Sequence, residues 1–100
     1  MKQKDLIKIS QKSNGRCFYC NTQDAEEVDH FFPKKLHADW ELENYTDNDD
    51  LENLFLSCVP CNRKKRDKHP EDFLGSFKAW SRAYRANYRV GITDLREYSL

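Results

Sequence analysis

One hundred residues suit a single domain, and no apolar run approaches the ~18 residues of a membrane-spanning helix. Hydrophobic residues make up 38% of the chain and charged residues 34%, so the core is modest and a staple, metal or disulfide, is expected. Net charge is zero, but residues 1–20 hold five bases and one acid, residues 21–59 two bases and eleven acids, and residues 60–100 ten bases and five acids. Basic ends around an acidic middle can present one positive face to phosphates while the total stays neutral.

Residues 2–13 read as a helix with Leu6 and Ile9 on one face, Ile7 near it, and Lys2, Lys4, Lys8 and Lys12 on a solvated remainder. Gly15 suits the stop. Cys17-Phe18-Tyr19-Cys20 is a tight turn. Residues 26–32 alternate as a strand, with Val28, His30 and Phe32 opposite Glu27, Asp29 and Phe31, and Pro33 ends it. Residues 34–52 are the least readable stretch. Leu36, Trp40, Leu42 and Tyr45 can anchor it, and the acids around Asp47 to Asp50 lack the spacing of a calcium loop. Residues 51–57 form a second strand, antiparallel to the first. A short basic helix begins near Asn62 and carries Arg63, Lys64, Lys65, Arg66 and Lys68.

A last amphipathic helix spans about residues 70–89, opening on Pro70 with Glu71 and Asp72 in its first turn. Phe73, Phe77, Trp80, Tyr84 and Tyr88 mark its buried stripe. Lys78, Arg82, Arg85 and Arg89 mark a basic stripe one residue on. Gly75 weakens this helix by ~1 kcal/mol relative to alanine. His37 and His69 fit no motif and read as surface or loop residues.

The cysteines define a second layer. No secretory signal opens the chain, so a reducing compartment is expected, where two Cys-x-x-Cys pairs favour metal over disulfides. Cys17, Cys20, Cys58 and Cys61 supply four thiolates for one tetrahedral zinc. The 37 residues between Cys20 and Cys58 form a large loop clamped at its base. That loop holds Asp29-His30 and Asn53, with Asn62 just past the last cysteine.

This set resembles the HNH endonuclease family over about residues 15–66, in its zinc-bound, McrA-like branch. The resemblance implies an α+β fold: a small ββα-metal, treble-clef-like domain with a four-cysteine structural zinc and flanking helices. It implies a metal-dependent DNA endonuclease in which His30 is the general base. Asp29 and Asn62 would hold one catalytic ion, and Asn53 would hold the loop that positions the base. Hard oxygen ligands favour Mg²⁺ or Mn²⁺ there. The expected products carry 5′-phosphate and 3′-hydroxyl ends. The third motif residue is Asn rather than His, so the chain is an HNN variant. The position one turn on, where colicin-type relatives have a further His, is Arg66.

Arg63, Lys65, Arg66, Arg82, Arg85 and Arg89 are candidate DNA contacts. The expected setting is the cytoplasm of a bacterium or phage-infected host, with DNA as partner and a protein partner as one source of specificity. Two other readings stay open: a zinc-stapled nucleic-acid-binding module without activity, and a toxin or effector nuclease.

Overall fold

The computed structural model describes residues 2–22, 24–33 and 51–91. The anchors expected at Leu36, Trp40, Leu42 and Tyr45, the acidic turn at Asp47 to Asp50, and His37 lie outside the described residues. The elements run α1 (Gln3–Gln11), β1 (Glu27–His30), a 3-10 turn (Leu51–Asn53), β2 (Leu54–Ser57), α2 (Val59–Lys65), α3 (Pro70–Leu74) and α4 (Ser76–Arg89).

The two strands pair antiparallel, Glu27 with Ser57, Val28 with Leu56, Asp29 with Phe55 and His30 with Leu54. Alternation gives the hairpin two faces. Val28, Leu54 and Leu56 pack with Ile9 of α1 on one. Phe55 belongs to the larger core on the other, with Phe18, Phe31, Trp80 and the cysteines. Phe18 stacks on Phe55 with ring centroids 4.0 Å apart, and Trp80 meets Phe31 edge-on at 5.2 Å. Both strands are shorter than their sequence pattern suggests. Phe31 and Phe32 have left the ladder and turn into the core, each 1% exposed.

Three further expectations are corrected. Lys12 is not on a solvated face: it is 3% exposed, donates to the Leu51 carbonyl and to the Leu54 carbonyl at 2.7 Å, and lies 4.2 Å from the Phe55 ring centroid. It joins α1 to the 3-10 turn, while Leu6 and Ile7 stay exposed. The helix over residues 70–89 is two helices. Gly75 takes φ 87°, ψ 140° between them, a conformation open to glycine but strained for other residues. Tyr88 is outside the buried stripe at 73% exposed and stacks on Tyr84, centroids 6.1 Å apart. His69 is not a surface bystander. Its Nδ1 accepts from the Glu71 N–H at 3.1 Å, capping α3, and its ring meets Phe32 edge-on at 5.0 Å.

Candidate metal centre and nuclease site

The two cysteine pairs converge although 37 residues separate them. Residues 17–20 are attached to the outer edge of β2 by the Phe18 N–H donating to the Leu56 carbonyl at 2.9 Å. Cys58 precedes α2 and Cys61 lies in its first turn. The ligand sulfurs of Cys17, Cys20, Cys58 and Cys61 all lie within 4.8 Å of one another, and Cys20 and Cys58 are 3.9 Å apart. A tetrahedral zinc with ~2.3 Å bonds sets its sulfurs roughly 3.8 Å apart, so the four fit that ion. The Thr22 hydroxyl, 3.2 Å from Cys20 Sγ, draws the Cys20 thiol down to about 6. Burial pushes Cys58 and Cys61 up. A bound cation offsets the cost of deprotonating those buried thiols.

The other polar cluster lies at the end of β1. Asn53, 0% exposed, grips the segment just past His30 with backbone and side chain together. Its carbonyl accepts from the Phe31 N–H at 2.8 Å. Its Oδ1 accepts from the Phe32 N–H at 2.8 Å, and its Nδ2 donates to the Phe32 carbonyl at 3.1 Å. His30 is half-buried, and β-alternation sets it on the hairpin face opposite Asp29. Asp29 is buried, with Oδ2 accepting from the Tyr19 hydroxyl at 2.5 Å and lying 3.2 Å from Lys65 Nζ. Both contacts fall on Oδ2, and Oδ1 carries no partner among the described residues. Burial, reinforced by Asp29, pushes the Tyr19 phenol well up.

Helix α2 crosses the Glu27–Asp29 face of β1. The Asn62 amide donates from Nδ2 to Glu27 Oε1 at 3.0 Å. One turn on, Lys65 donates to the His30 carbonyl at 2.9 Å. An ionised carboxylate only accepts, so Glu27 forces the NH₂ end of Asn62 toward itself and turns Oδ1 elsewhere. Glu27 and Tyr19 are therefore site residues that sequence reading missed. Glu27 was findable, because a strand puts residue i−2 on the same face as Asp29. Nothing in the one-dimensional pattern announces Tyr19.

The basic candidates divide. Arg63 and Arg66 are exposed. Lys65 is not a surface contact: it is 0% exposed, and burial lowers its pKa against the opposing pull of Asp29. Arg66 does not continue the helical face of Asn62. It is the C-cap of α2 at φ 50°, ψ −124°, beyond the last regular turn. Arg82 donates from Nη1 to the Phe18 carbonyl at 3.3 Å and the Tyr19 carbonyl at 3.0 Å, tying α4 to the cysteine turn. Arg85 and Arg89 are exposed.

An antiparallel hairpin, a following helix and a four-sulfur metal site clamping their base define a ββα-metal architecture. Residues 17–68 match the family model for HNH endonucleases, and the chain belongs to that family. No curated protein matches it. HNH nucleases act on nucleic acids, and no helix among the described residues is long and apolar enough to cross a membrane.

Proposed function

We propose that the protein is a metal-dependent DNA endonuclease, with the chain acting as one domain. The observation that carries this reading is the grip of Asn53 on Phe31 and Phe32. It ties the second strand to the residues next to His30, which is the rigid support a general base needs. His30 takes a proton from the attacking water, whose oxygen bonds to phosphorus as the bond to the 3′ oxygen breaks, and the departing oxygen takes up a proton from solvent. The products carry 5′-phosphate and 3′-hydroxyl ends.

Asp29 Oδ1 and Asn62 Oδ1 are hard donors suited to Mg²⁺ or Mn²⁺, which commonly use one or two carboxylates and keep several waters. When bound, that ion stabilises charge at phosphorus and at the departing oxygen as a Lewis acid. Glu27 holds Asn62 with its Nδ2 inward and its Oδ1 turned away. Lys65 and Tyr19 hold Asp29 Oδ2, and Lys65 also holds the strand end through the His30 carbonyl.

The test is nicking of supercoiled plasmid by protein that retains zinc but has been stripped of other metals, with Mg²⁺ or Mn²⁺ added back. Cleavage that needs the added ion and falls at least ~100-fold in His30→Ala supports the reading. Cleavage untouched by that substitution removes His30 from the mechanism.

A second reading is a zinc-stapled nucleic-acid-binding module without activity. The ion pair of Asp29 with Lys65 favours it, because this carboxylate already has a cation. Plasmid binding with no cleavage under any divalent ion would select that reading.

A further inference from the structure

A second, separate feature of the molecule faces phosphate chemistry. A groove of about 440 Å³ lies between the end of α1, the cysteine turn and α4. Its walls include Lys12, Phe18, Asn21, Arg82, Arg85 and Arg89, and among the described residues no carboxylate lines it. Three arginines, Arg82, Arg85 and Arg89, share this lining with no carboxylate in it and repel one another, a cost that an anionic ligand relieves.

The cations are not equivalent. Lys12 donates to two carbonyls, and Arg82 commits Nη1 to two more, so both side chains are anchored in the wall, and Arg82 keeps the N–H groups of Nε and Nη2. Arg85 and Arg89 are exposed, and among the described residues neither has a hydrogen-bonding or ion-pair partner. Arg82, Arg85 and Arg89 follow at steps of three and four on one helix face. At 1.5 Å rise per residue the outer two are about 10.5 Å apart along the axis. One nucleic-acid strand presents a phosphate roughly every 3.4 Å of axis, so the row spans about three phosphate-to-phosphate steps.

The floor sets what the groove can read. Phe18 is 5% exposed, stacked on Phe55 and lies 5.9 Å from the Arg82 guanidinium, so its ring offers no platform for a base. The floor therefore offers no stacking surface, and the arginines of the wall recognise backbone. The groove is also not the cleavage centre. Adjacent residues of the cysteine turn have opposite destinations: Phe18 lines the groove, and the Tyr19 hydroxyl reaches Asp29. The turn stands between the two sites.

We infer that this groove is a second phosphate-binding site, outside the cleavage centre, which holds the backbone of a nucleic-acid segment distant from the scissile bond. The inference rests on the nuclease reading only for the identity of the polymer. Affinity gained here is independent of sequence and sensitive to salt.

The experiment measures binding of a fluorescent duplex of about 20 base pairs by anisotropy, without added divalent ion, across a potassium chloride series. The parent is His30→Ala, so the result does not depend on cleavage. Arg85→Gln with Arg89→Gln is expected to weaken binding at least tenfold at low salt. It should also flatten the slope of log affinity against log salt by about 1.8, at ~0.9 per lost phosphate contact. The comparison variant, Lys4→Gln with Lys8→Gln, removes the same charge from the exposed side of α1 and is expected to leave the slope in place. Zinc content and circular dichroism confirm that each variant is folded.

An unchanged slope in the arginine variant, or an equal loss in the lysine variant, overturns the proposal. Inorganic phosphate bound as tightly as the duplex would overturn the polymer part of it. Plasmid nicking with His30 intact is scored separately, so loss of the nuclease reading and loss of the groove give different results.

Discussion

Two regions of this molecule each bury a lysine, and they do so on different terms. At the end of β1, Lys65 has a full counter-charge in Asp29 and a carbonyl in His30. At the junction of α1 with the 3-10 turn, Lys12 has the carbonyls of Leu51 and Leu54 and the face of Phe55, with Glu52 acting as a charge nearby. Burial lowers both. Lys12 comes down to about 7, and its neutral amine still has two hydrogens for its two carbonyls. The first region keeps an ion pair in place beside the catalytic candidates. The second is a clamp that works with or without its charge.

Removing the ion pair's cation should have the largest effect. Lys65→Met leaves Asp29 buried without its cation, at a cost of about 3–5 kcal/mol, read as a fall in the urea midpoint at constant slope. Adding Asp29→Asn should recover much of that loss. If the single variant lost less than ~1 kcal/mol, the two lysines would not differ in kind.

The next effect tests orientation rather than stability. Glu27→Gln replaces a pure acceptor with a group that also donates, so Asn62 is no longer held with its oxygen outward. The divalent-ion concentration giving half-maximal nicking should rise about 10- to 100-fold. DNA binding measured in a His30→Ala background should stay unchanged. A shift of less than twofold would remove Glu27 as a positioning residue.

The last effect belongs to the clamp and is read as a pH dependence. Between about pH 7, where folded Lys12 titrates, and pH ~10.4, where an unfolded lysine does, the unfolded chain binds more protons than the native one. Stability therefore rises with pH across that window. Below about pH 7 both states are protonated and the burial cost is present in full. Lys12→Met should remove up to about 1.4 kcal/mol per pH unit of that rise, seen by comparing denaturation at about pH 7 and about pH 9. Identical slopes in parent and variant would show that Lys12 keeps its charge when buried.

The legible part of the fold is the part encoded by spacing. Cys-x-x-Cys twice, alternation around Asp29-His30 and the nine-residue step from Asn53 to Asn62 depend on short-range geometry, so the hairpin, the helix after it and the metal site follow. Lys12 and Lys65 read as solvent-facing because lysine usually is. What pulls them inward is a carbonyl pair or a carboxylate more than 30 residues away in the chain, which no periodicity records. Propensity makes Gly75 a weak helix residue, whereas its positive φ is what lets α3 and α4 part. Tyr88 has helical spacing, but among the described residues it meets only the ring of Tyr84 and stays outside the buried core.

The grip of Asn53 on Phe31 and Phe32 also separates length from function. Phe32, where the chain leaves the hairpin, and Asn53, where it returns, are joined by the same few hydrogen bonds, so the two ends are fixed to each other by contacts of their own. In general, doubling the number of flexible residues that such a closure spans costs only ~0.6 kcal/mol of closure entropy. A lineage carrying this framework is thus free to lengthen, trim or replace that segment, and so to acquire new target preferences, without disturbing the histidine beside it.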